Sequence, residues 1–74
     1  MKAKIKLFAT LRNGRFDNSE MSFPEGTTIL NVVEQLGIDK KDAAILFING
    51  VHAELDSIIN EDDDVAIFPP VGGG

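Results

Sequence analysis

The stretch Thr27-Thr28-Ile29-Leu30-Asn31-Val32-Val33-Glu34-Gln35-Leu36-Gly37 decides the architecture of this chain. Thr27 and Thr28 are residues whose side-chain oxygens accept hydrogen bonds from the free amides at a helix start. Ile29, Val32, Val33 and Leu36 then recur at helical spacing, and Gly37 suits the left-handed position that ends a helix. The pattern predicts one helix that buries Ile29, Val32, Val33 and Leu36 and leaves Asn31, Glu34 and Gln35 in solvent.

The segments on either side read as strands. Before the helix, Ala3, Ile5 and Leu7 alternate with Lys2, Lys4 and Lys6, the period of a half-buried strand. Asn13 to Asn18, with Gly14 and no periodicity, reads as a loop, and Glu20 to Phe23 as a second strand paired to the first. After the helix, Ala44-Ile45-Leu46-Phe47-Ile48 is dense in strand formers. Asn49-Gly50 is the dipeptide of a tight hairpin turn, whose central residues need positive φ, and Val51 to Glu54 supplies the return strand. Leu55 to Ile59 is expected to form a brief turn or a single helical coil that tucks Leu55 and Ile58 inward. Val65-Ala66-Ile67-Phe68 is the last strand, stopped by Pro69-Pro70, which cannot donate ladder hydrogen bonds.

A helix inserted between two hairpins, followed by a strand able to pair in parallel with the first, is the α+β arrangement called the β-grasp, or ubiquitin-like fold. The expectation is a mixed sheet of about five strands on one main helix, although the same element order also admits other small α+β folds. No linker or repeat divides residues 1–74, so they read as a single domain, with 69–74 as a projecting tail.

Composition narrows the chemistry. The 74 residues hold 43% hydrophobic side chains, enough for one small core, and no cysteine, which excludes thiolate nucleophiles and Cys-based zinc sites on this chain. The net charge of −5 repels a phosphate backbone, so nucleic acid is not an expected partner, and a basic protein surface is. Met1-Lys2-Ala3-Lys4-Ile5-Lys6 lacks the apolar stretch of a secretory signal, and no window has the length of a membrane span. A cytoplasmic location and no membrane partner are the expectations.

Strand parity marks a candidate surface. If Ile5, Leu7, Leu46, Ile48, Val65 and Ile67 face the helix, then Phe8, Phe47 and Phe68 point to the opposite face of the sheet. Contiguous exposed apolar residues on a small protein signal a partner-binding surface. Other polar residues read blandly. His52 has no Ser, Cys or second His to complete a triad or metal site. Asp62-Asp63-Asp64 lacks the alternating ligands and glycine of a calcium loop and reads as a solvated turn. Arg12 and Arg15 suit either an acidic partner or a soluble loop. No catalytic constellation is visible, and no cofactor is expected to bind this chain.

Three segments resemble the MoaD/ThiS family of sulfur carrier proteins: Leu7-Phe8-Ala9-Thr10-Leu11-Arg12, Ile48-Asn49-Gly50, and Asp64 through Phe68-Pro69-Pro70-Val71-Gly72-Gly73-Gly74. The resemblance implies a carrier rather than an enzyme. It also implies loading by a ubiquitin-activating-like adenylating enzyme, which uses ATP to adenylate Gly74 before sulfur replaces a carboxylate oxygen. The resulting thiocarboxylate would donate sulfur to molybdopterin or thiamin biosynthesis, with molybdopterin synthase large subunit or thiazole synthase as the second partner. Phe-Ala-Thr-Leu-Arg and Phe-Pro-Pro-Val look like the molybdopterin branch, whereas Val-Gly-Gly-Gly also occurs in thiamin-type carriers. A ubiquitin-like modifier conjugated through Gly74 and a non-covalent interaction module are the competing expectations.

The tail suits such chemistry. An α-carboxylate titrates at about 3.3–3.7 and is an ionised oxygen nucleophile at neutral pH. Gly72, Gly73 and Gly74 carry no Cβ and fit a narrow tunnel, while Pro69 and Pro70 stiffen the base before Val71. Six extended residues reach roughly 20 Å.

Overall fold

A computed structural model describes residues 1–70 of the chain. Five strands form one mixed sheet: β1 (Lys2–Leu7), β2 (Asn18–Ser22), β3 (Ile45–Ile48), β4 (Val51–Ala53) and β5 (Asp64–Phe68). The helix α1 (Ile29–Gln35) lies between β2 and β3 in sequence, and short 3₁₀ turns occupy Ala9–Arg12 and Lys40–Asp42. The sheet order is β2-β1-β5-β3-β4. β1 and β5 run parallel at its centre, while the β1–β2, β3–β4 and β3–β5 pairs are antiparallel. This is the expected β-grasp.

The alternation in β1 works as its period requires: Ala3, Ile5 and Leu7 are buried, and Lys2 and Lys4 are exposed. Val65 and Ile67 do the same in β5, and the parallel register sets Ile5 beside Val65 and Leu7 beside Ile67. These four side chains meet Ile29, Val32 and Val33 of the helix and Ile59, all fully buried, to form the centre of the core.

Alone, a seven-residue helix is marginal in water, so α1 depends on packing and on its ends. Both ends are closed. Thr28 and Asn31 form a reciprocal capping box, with bonds of 3.2 and 3.0 Å. The amides of Ile29 and Leu30 donate to the carbonyls of Ser57 and Leu55 at 3.1 and 2.8 Å. At the other end Gly37 takes φ +72°, and the Arg15 guanidinium donates to the Leu36 and Gly37 carbonyls at 3.0 and 3.1 Å.

Several expectations are corrected. The second strand runs from Asn18 to Ser22 rather than from Glu20 to Phe23, and the chain beyond β1 winds into a 3₁₀ turn at Ala9–Arg12. Ile58 is 56% exposed, and Ile59 is the residue fully buried. The segment runs extended here, with an isolated bridge between Thr28 and Ile58 and a bond from the Ile59 amide to the Thr27 carbonyl. Extended backbone sends neighbouring side chains to opposite sides, so Ile59 enters the core and Ile58 cannot.

The acidic turn is not uniformly solvated either. Asp63 is only 9% exposed. Its carboxylate accepts from Asn49 Nδ2 and from the Asn60 amide, both at 2.8 Å, while Asn49 Oδ1 accepts from the Asp64 amide at 2.9 Å. Asn49 and Gly50 have φ +53° and +78°, as their hairpin turn requires, so this side chain locks the β3–β4 turn to the start of β5.

Candidate functional site

The sheet face turned away from α1 carries the candidate surface. Leu7 and Ile67 are registered neighbours pointing inward, so Phe8 and Phe68, one residue later on adjacent parallel strands, emerge side by side. The Phe8 amide donates to the Ile67 carbonyl at 3.2 Å and holds this alignment past the end of β1. The two rings stack with centroids 4.1 Å apart and planes 10° apart. Phe47 lies opposite Ala66 across the β3–β5 ladder, and its ring meets Phe68 edge-on at 5.9 Å. All three phenylalanines of the sequence reading come together and are partly exposed.

Two further residues join them. The two-residue turn at Asn49-Gly50 puts His52 opposite Phe47, where the rings meet edge-on at 5.9 Å. That pairing was implicit in the turn length, because strand residues flanking a two-residue loop pair outward in order. On the other side, the Arg12 guanidinium stands over the Phe8 ring, 5.3 Å from its centroid. No sequence periodicity points to this contact, since it depends on the 3₁₀ turn. A continuous row Arg12–Phe8–Phe68–Phe47–His52 therefore crosses the open face.

Beside this row lies a shallow depression of about 340 Å³. Ala66, Gly50 and the three phenylalanines line it together with Lys6 and Asp64, which form an ion pair at 3.0 Å. Its lining is mixed apolar and charged, which suits a protein surface better than an enclosed small ligand. Among the described residues, no group of three or more His, Asp or Glu side chains converges as metal ligands. No helix of the described residues is long and apolar enough to cross a membrane.

Pro69 follows directly on Phe68, the last residue of β5. The Phe68 carbonyl accepts from the Ala44 amide at 3.0 Å, and with Pro69 the chain has no amide to continue the ladder. Pro69 is half-buried and Pro70 exposed. Val71, Gly72, Gly73 and Gly74, which the sequence marks as the tip, lie outside the described residues. The root of the tail is thus covalently continuous with a member of the aromatic row.

A β-grasp domain with an aromatic sheet face at the root of a Pro-Pro tail is the class of protein that fold and site define. The model of the ThiS family matches residues 5–74, and the chain belongs to that family. No curated protein matches it. Among solved structures it is similar to a Pyrococcus furiosus protein described as molybdopterin converting factor, subunit 1, at 25% identity and a TM-score of 0.74, covering 96% of this chain and 99% of that one. Small archaeal modifier protein 1 of Haloferax volcanii shares the fold at 22% identity and a TM-score of 0.76, with 95% of this chain and 98% of that one covered. The fold also recurs in the Helicobacter pylori complex of molybdopterin-converting factor subunits 1 and 2, at 14% identity and a TM-score of 0.67 over the full length of both chains.

Proposed function

We propose that this chain is a sulfur carrier whose Gly74 carboxylate is adenylated by a ubiquitin-activating-like enzyme and converted to a thiocarboxylate. The observation that carries this reading is the extent of the family match, which runs to residue 74 and so takes in the whole Pro69–Gly74 ending. The carboxylate oxygen attacks the α-phosphate of ATP, pyrophosphate leaves, and the mixed anhydride that results is open to a sulfur nucleophile. ATP and the catalytic groups belong to the activating partner, and the carrier is a protein cosubstrate.

The likeness to the Pyrococcus furiosus protein supports the molybdopterin branch, with a large synthase subunit as the second partner and thiazole synthase as the thiamin alternative. The aromatic row supports docking. A partner seated on Phe8, Phe47 and Phe68 lies beside Pro69, and the stiff root directs the glycines into its active site. Apolar burial at the centre of such a contact supplies most of the affinity.

Incubating the chain with ATP, a sulfur source and its host's adenylating enzyme tests the reading through intact mass. An exchange of one oxygen for sulfur is expected, and it is lost on deletion of Gly74. A full-length chain that gains no sulfur overturns the proposal.

A further inference from the structure

The two arginines near the turn after β1 have different fates in the folded chain. Arg15 is consumed internally: Nε donates to the Leu36 carbonyl at 3.0 Å, Nη2 to Gly37 at 3.1 Å and Nη1 to Leu11 at 3.2 Å. Its charge faces the carbonyl end of α1, where a cation is favoured. Arg12 is held by one edge only. Its Nε donates to the Leu7 carbonyl at 2.7 Å and lies 3.5 Å from Asp17 Oδ1, and its Cζ stands over the Phe8 ring, 5.3 Å from the centroid. Nη1 and Nη2 make no hydrogen bond among the described residues, and the side chain is 43% exposed.

We infer that Arg12 is a recognition residue that receives a carboxylate side chain of the protein partner docking on the aromatic face. An arginine fixed at Nε presents its remaining donors as a pre-oriented fork, and less rotamer entropy is lost when a carboxylate engages them. Charge complementarity selects the occupant. The chain as a whole carries −5, which disfavours an acidic partner over most of its surface. The end of the aromatic row is a local exception, with the Arg12 guanidinium over Phe8 and the Lys6 side chain at the adjoining depression. Lys6 is held by Asp64 at 3.0 Å, whereas Arg12 meets Asp17 only through Nε at 3.5 Å and keeps the planar Nη1/Nη2 pair that fits a carboxylate. A partner that sets an apolar patch on Phe8 and Phe68 with an Asp or Glu at its rim satisfies both features. The inference rests on the carrier reading for the identity of the partners and specifies the chemistry they present.

Calorimetric titration of the full chain tests it against the host's adenylating enzyme without ATP, and separately against the host's large synthase subunit. Arg12→Gln removes the charge and the fork, and is expected to raise Kd about tenfold for at least one of the two. Arg12→Lys restores part of the loss, and the gap between wild type and Arg12→Gln narrows as salt is raised. Thermal unfolding of each variant checks that the fold persists. Equal affinities for wild type and Arg12→Gln overturn the inference, and so does a wild-type chain that binds neither protein. A chain lacking Gly73 and Gly74 should keep the same Arg12 dependence. If the dependence vanishes with the tail, Arg12 serves the chain's own carboxylate and the inference fails. The carrier reading is judged independently, by the oxygen-to-sulfur exchange.

Discussion

The Phe8 ring lies nearly parallel to that of Phe68, 4.1 Å away, across two strands that are 60 residues apart in sequence but adjacent in parallel at the centre of the sheet. The contact joins the first strand to the root of the tail. Stacked aromatic pairs contribute about 0.5–1.5 kcal/mol beyond their burial. A double-mutant cycle of Phe8→Ala and Phe68→Ala, followed by urea unfolding, is therefore expected to return a coupling of about 1 kcal/mol. Additive effects would show that the rings only share a surface.

Asp63 is the buried acidic residue of its turn. Removing its carboxylate strands Asn49 Nδ2 and the Asn60 amide, both of which it accepts at 2.8 Å. Asp63→Ala is expected to cost about 2 kcal/mol in urea unfolding. Asp62, whose φ is +65°, gives the opposite result: Asp62→Gly relieves a left-handed residue and should be neutral or stabilising by up to about 1 kcal/mol.

Ile58 and Ile59 are adjacent and chemically identical, yet only Ile59 is fully buried. Ile59→Ala is expected to lose about 2–5 kcal/mol through the cavity it opens, and Ile58→Ala less than about 1 kcal/mol. Equal losses at the two positions would contradict the extended path of this segment.

Arg15 links the turn after β1 to the end of α1, and its bonds are charge-assisted. Arg15→Ala is expected to destabilise the chain by about 1–2 kcal/mol and to leave partner affinity unchanged. Arg12→Gln is the mirror case, with a small effect on unfolding and a large one on binding. Unfolding midpoints measured beside calorimetric Kd values separate the two.

Much of the fold was legible because local rules agreed. The helical spacing of Ile29, Val32, Val33 and Leu36, the alternation in β1 and the Asn49-Gly50 turn each depend on a few neighbouring residues, and each appears where its pattern placed it. The phenylalanine face was legible for the same reason, since strand parity carries from Leu7 to Phe8 and from Ile67 to Phe68. The errors fell where conformation is borrowed from elsewhere in the molecule. Leu55-Asp56 forms the expected turn, but beyond it the Ser57 carbonyl accepts from the Ile29 amide and Ile58 bridges Thr28, so Ile58-Ile59 runs extended and Ile59 takes the buried place.

By itself the sequence determined the element order, the inward and outward faces of the strands, and the Pro69-Pro70 stop to the last strand. These follow from side-chain period and from backbone preference, which act over a few residues. Only the tertiary structure decided what the polar side chains do. It buried Asp63 against Asn49, spent Arg15 on the carbonyl end of α1 and left Arg12 open-handed beside Phe8. A charged group takes its role from the partners that folding brings within hydrogen-bond distance, and those partners lie on other elements of the chain.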